Sequence, residues 1–197
     1  MLDQQQDALV LDGPIALSEA TMQALVAADL VLVPVRPAVF DLRATSNLFA
    51  APRPGAPSLL SLVAAARARR GLAPQRVVAV LNFVEPHPQN KELAQVRPLA
   101  EQAAIEVLPA LLTRRLSYPR AQEQGESVLT AYAWDRAASE VALLTALCYR
   151  AFQGATAADL AAAAAALPPQ LEPAQIIQRL LGRAVVPAHK EARHAAA

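Results

Sequence analysis

The chain has 197 residues, of which 54% are apolar and 18% charged, with a net charge of +1. That length holds one domain with a sizeable core, and the composition excludes a disordered or polyelectrolyte chain. No apolar run is long enough to span a bilayer, and a lone Cys148 excludes a disulfide framework within the chain.

The near-zero charge hides an asymmetry. Residues 1–35 carry Asp3, Asp7, Asp12, Glu19 and Asp29 with no Lys or Arg, whereas residues 36–76 carry seven Arg against Asp41. The basic stretch is compatible with a phosphate-facing surface or with a solvated helix face. His87, His189 and His194 are too scattered to propose a metal site. Cys148 lies in an apolar helical run and reads as core. No leader pattern is recognised, so a cytoplasmic protein is expected.

In chain order, ALVLD (8–12) predicts a buried strand that delivers Asp12 into a Gly13-Pro14 turn. Ser18 can cap a helix with Met22, Leu25 and Val26 on one face. LVLVPV (30–35) predicts a second strand. Ser58 can cap a helix that stops at Gly71 after a basic last turn. RVVAVLNF (76–83) and IEVLPAL (105–111) predict two more strands, and between them Asn90 opens a helix that Pro98 should kink. Asp135 caps a longer helix through Val141, Leu144 and Leu147.

Past residue 153 an Ala-rich run predicts a helix packed on the domain. EPAQIIQRLLG then predicts an amphipathic helix with Pro173 in its first turn, which docks on the body or meets a partner. The chain divides into an α/β domain (1–152), a helical C-terminal extension (153–186) and a disordered tail (187–197). The expected fold is three-layer α/β, with a mostly parallel sheet of about four to five strands flanked by helices. Ligands in such sheets bind at the carboxyl ends of the strands. That nominates residues 12–14, 34–41, 82–85 and 109–115.

Read together, ALVLDGPIALSEATMQALVAADLVLVPVRPAVFDL, VVAVLNFV and VLPALLTRRLSYPRAQEQGESV resemble, in order and spacing, the ParA/MinD family of deviant P-loop ATPases, above all plasmid-type ParA. The resemblance covers roughly residues 7–150 and implies a partial P-loop NTPase fold. It implies that Asp12 corresponds to the Walker B Asp, which orders magnesium through water, and that Gly13 and Pro14 occupy the switch II turn. The family carries Thr-Pro-Pro there, so Gly13 and Ile15 are departures. Asn82 corresponds to the Asn that reads the adenine edge, and Pro109 to the segment lining the base pocket. Arg114, Arg115 and Arg120 fall where partition ATPases carry basic residues for non-specific DNA. From the residues alone, Asp12 and Asn82 can equally be turn chemistry, and the arginines a solvated face.

The phosphate loop is missing. It needs clustered glycines and a Lys. Here Gly13, Gly55, Gly71, Gly125, Gly154 and Gly182 stand apart, and neither Lys91 nor Lys190 follows a Gly. The family's cofactors are ATP and magnesium, and this absence argues against their use and against hydrolysis by this chain alone. In the family the Walker A strand lies between the Walker B strand and the strand that follows it. A gap beside ALVLD is therefore expected. Closure onto 30–35, pairing with another chain, and poor packing are all open.

Three functions follow. The first is a ParA/MinD-like partition or positioning protein that binds non-specific DNA and a ParB-like or cargo-adaptor protein, as a homodimer or with a full-length ParA. The second is a non-catalytic structural or interaction protein on the same fold. The third is a fragment of a complete ParA-type ATPase.

Overall fold

The computed structural model describes residues 8–13, 18–37, 57–85, 98, 100 and 105–182. The elements along these residues are α1 (Glu19–Ala27), β1 (Leu30–Val35), α2 (Leu59–Arg69), β2 (Arg76–Val84), β3 (Glu106–Thr113), α3 (Ser117–Glu123), α4 (Val128–Ala131), α5 (Arg136–Phe152), α6 (Ala157–Ala165) and α7 (Pro173–Leu181).

The helix starts follow from their caps. The Ser18 hydroxyl accepts from the Thr21 N–H, Ser58 from Ser61 and Asp135 from Ala137, each satisfying a backbone donor that the first turn leaves open. At the other end, Gly71 (φ 69°) follows the last residues of α2, and Gly182 (φ 63°) closes α7 in the left-handed conformation that glycine adopts without Cβ strain.

The strands form one parallel sheet in the order β1-β2-β3. Its two faces read directly from the alternation in β2. Val78 and Val80 join Leu108 and Ala110 of β3 in a core with Ala142, Ala146 and Leu147 of α5. Ala79 and Leu81 point to the opposite face, with Val35 and Ile105. On β1, Leu32 is exposed, so the α5–α7 layer covers β2 and β3 more fully than β1.

Described residues beyond 152 join the main core. Leu160 of α6, and Ile176 and Leu180 of α7, are buried in the α5–sheet cluster. The C-terminal amphipathic helix therefore docks on the body. Cys148 packs half-buried against the same cluster, and burial pushes its thiol pKa up to about 11.

Two expectations are corrected. ALVLD is not a strand: residues 8–13 adopt no regular structure, and Leu9, Val10 and Leu11 are exposed, Val10 at 89%. A strand is defined by a hydrogen-bonded neighbour, and 8–13 neither closes onto β1 nor pairs elsewhere among the described residues. The described sheet consequently has three strands instead of four to five. The expected helix at Asn90 and the tail 187–197 lie outside the described residues.

At the amino ends of the strands, Arg67 and Arg76 are committed to the fold itself. Arg67 of α2 is 1% exposed. Its Nε donates to Ala73 O (2.7 Å), its Nη1 to Val26 O (2.8 Å) and Ala28 O (2.7 Å), and its Nη2 to Asp29 Oδ1 (2.9 Å). One guanidinium thus fixes the end of α1, the entry to β1 and the α2–β2 connection. Arg76 opens β2, pairs in a fork with Glu106 of β3 and also donates to Ala151 O and Ala155 O at the end of α5.

Candidate functional site

Because the strands are parallel, all their carboxyl ends emerge on one side. Arg36 follows β1, Phe83 to Glu85 end β2, and Arg114 and Arg115 follow β3.

Arg114, Arg115 and Arg120 converge on one pocket of about 290 Å³, which Ser117, Tyr132 and Asp135 also line. Their roles differ. Arg114 is 61% exposed and pairs with the 56%-exposed Glu85 at 3.0 Å. Such a pair is weak and readily exchanged. Arg120 is exposed on α3. Arg115 is mostly buried and donates through Nε (3.1 Å) and Nη2 (2.8 Å) to Glu140 Oε1, which raises its pKa and keeps it protonated.

Glu140, on α5, is the anchor behind this pocket. It accepts from the Thr113 N–H (3.0 Å) and hydroxyl (2.7 Å), from Arg115, and from the Tyr118 hydroxyl (3.2 Å). Burial first, and the Glu140 charge second, push the Tyr118 phenol above its ordinary range. One carboxylate therefore fixes where β3 ends and how α3 begins. Ser117 is 6% exposed and its Oγ has no hydrogen-bond partner among the described residues. A buried hydroxyl without a partner is unusual, and this one lines a cationic pocket.

Phe83 occupies a special backbone position beside that pocket. Asn82 pairs with Leu112 and Val84 with Thr113, so Phe83 is the extra residue of a bulge. The extra residue resets the alternation: Val84 packs with Ala79 and Leu81 on one face, although strict alternation would place it with Val78 and Val80. Phe83 adopts φ 60°, which costs a residue with a bulky Cβ substituent on the order of 1–3 kcal/mol. Its ring is 44% exposed, with the Arg36 guanidinium 4.9 Å and that of Arg114 5.4 Å from the centroid.

The remaining sequence candidates are dispersed. Asp12 and Gly13 are exposed in the irregular segment 8–13, and Pro14 lies outside the described residues. Asn82 is half-buried within β2, and Pro109 lies inside β3 instead of in a loop, where an outer strand of the described sheet tolerates a missing N–H. None of these lines the arginine pocket. Asp12 is not carried on a strand end, and no group of three or more His, Cys, Asp or Glu among the described residues could hold a metal.

Sequence reasoning missed Arg67, Glu140 and Ser117, and it nominated Phe83 only as part of the segment 82–85, without its bulge. The continuous apolar run of β2 gives no signal for the bulge. Nothing in the sequence marks Glu140 as different from other helical acids.

Searched against protein-family models, the chain matches none. No curated protein matches it either.

Proposed function

We infer that this chain is a ParA/MinD-like partition or positioning module, on a partial P-loop NTPase fold, that binds the phosphate backbone of DNA and lacks ATP hydrolysis of its own. Support for the family comes from the ordered resemblance over residues 7–150, and for the missing hydrolysis from the lack of clustered glycines followed by Lys. The observation that carries the binding half is the convergence of Arg114, Arg115 and Arg120 on one pocket at the carboxyl ends of a parallel sheet, beside the Ser117 hydroxyl, which has no hydrogen-bond partner among the described residues. Such an array supplies charge and donors without base-reading geometry, as non-specific binding requires. The test is binding of duplexes of unrelated sequence across a salt series. Equal affinities that fall steeply with salt support the reading, and no binding at low salt removes the DNA half.

A second reading, a non-catalytic interaction protein, is favoured by the exposed Leu9-Val10-Leu11 run, which is costly to leave in water. Self-association measured by light scattering, and abolished by Val10→Asp, would support it.

A further inference from the structure

The core does not need Phe83. Val84 fills the position beneath the bulge, while the Phe83 ring stands in solvent at the carboxyl end of the sheet. Gly or Asn would adopt the same left-handed backbone with less strain. An aromatic residue held there, partly exposed and flanked by two guanidinium groups from the ends of the neighbouring strands, is therefore a feature to explain by what it contacts.

The geometry points to a seat for one unpaired base of a single-stranded nucleic acid, formed by Phe83 with Arg36 and Arg114. The base stacks on the ring–guanidinium array, and the phosphates beside it are met by the two arginines. Each part has its reason. An aromatic face accepts any base without reading its edge. A guanidinium stacks on a ring or base through its plane while its N–H fork stays available to phosphate. In a duplex the bases are stacked on each other and cannot reach the ring, so duplex DNA meets only the cations. Glu85 opposes an incoming phosphate until Arg114 exchanges its weak pairing for the ligand.

This deepens the proposed DNA-binding reading: it rests on Arg114 in common and adds strandedness as the property Phe83 decides. The test is fluorescence anisotropy of the full chain with a labelled oligothymidylate and with a duplex carrying the same number of phosphates. Wild type, Phe83→Asn and Arg36→Ala are compared, with the folded state of each checked by circular dichroism and thermal melting. Single strand is expected to bind about tenfold more tightly than duplex. Phe83→Asn, which keeps the backbone conformation accessible, is expected to erase that preference while leaving duplex affinity and its salt slope unchanged. Arg36→Ala should weaken both ligands. Equal binding of the two ligands, unaffected by Phe83→Asn, overturns the stacking seat and leaves the DNA reading standing. Phe83-dependent single-strand binding without duplex binding supports the seat and removes that reading. No binding of either ligand overturns both.

Discussion

At the amino ends of the strands, Arg67 and Arg76 donate to carbonyls and carboxylates that belong to the fold itself. At the carboxyl ends, Arg36, Arg114 and Arg120 are exposed, and the first two stand against the Phe83 ring, with Arg114 also paired to the exposed Glu85 carboxylate. The residue type is the same at both ends. The surroundings decide whether it acts as mortar or as a surface charge. A guanidinium surrounded by backbone oxygens is desolvated and irreplaceable, while one in water is exchangeable. A count of arginines therefore says little about a basic face until each is placed.

The sharpest way to break this contrast is to remove Arg67. Arg67→Ala leaves the carbonyls of Val26, Ala28 and Ala73 without their donor and opens a cavity beside Val63. The expected loss is about 3–5 kcal/mol of stability, measured by urea unfolding. A loss below about 1 kcal/mol would mean that the amino-end arginine is dispensable. Asp29→Asn should cost far less, because the Asp29 carboxylate is 70% exposed.

Glu140 sharpens the contrast from the other end, because it is the part-buried anchor that holds Arg115. Glu140→Gln keeps the shape but gives up the charge that Thr113, Arg115 and Tyr118 donate to. It should cost about 1.5–3 kcal/mol, the range for hydrogen bonds to a charged group, read from the same unfolding curves.

The alkaline limb gives a smaller, directional check. Tyr118 is shifted upward, so the folded state keeps a proton that the unfolded chain releases near its ordinary pKa of about 10. This contribution is fully present below that pH and is lost as pH rises above it. Stability should decline above about pH 10 and decline less steeply in Tyr118→Phe, measured by pH-dependent thermal melting.

The parts of this molecule that were legible beforehand rest on local rules. Ser18, Ser58 and Asp135 announce helix starts because capping needs only a side chain and the next turn. The strands at 30–35, 76–84 and 106–113 are legible because a run of Val and Leu between turns has few other uses. ALVLD has the same local signature and fails, since strand formation depends on a neighbour that the run cannot encode. Arg67 sits among Arg69 and Arg70 in a helix end, yet only Arg67 turns inward, toward Val26, 41 residues away in sequence. Phe83 is hidden for a related reason: its bulge exists only in register against Leu112 and Thr113. The arginines at 114, 115 and 120 stand out as a group, but the difference between one locked to Glu140 and two exposed ones needed α5 in place.

The smallest stability effect is expected at Arg114, and it bears most directly on what the carboxyl end does. Arg114→Ala removes an exposed ion pair and one of two guanidinium groups beside Phe83. Unfolding free energy should change by less than about 0.5 kcal/mol. Duplex binding should respond differently: the slope of log affinity against log salt should become shallower by about 1, the signature of one lost phosphate contact. Arg120→Ala should give the same change in slope, and the double variant about twice as much. Arg67→Ala, studied where it remains folded, should leave the slope unaltered, because that side chain never meets solvent. If Arg114→Ala lowers stability by as much as Arg67→Ala, the two ends of the sheet use arginine alike. If it leaves the slope untouched, phosphate is bound elsewhere on the surface.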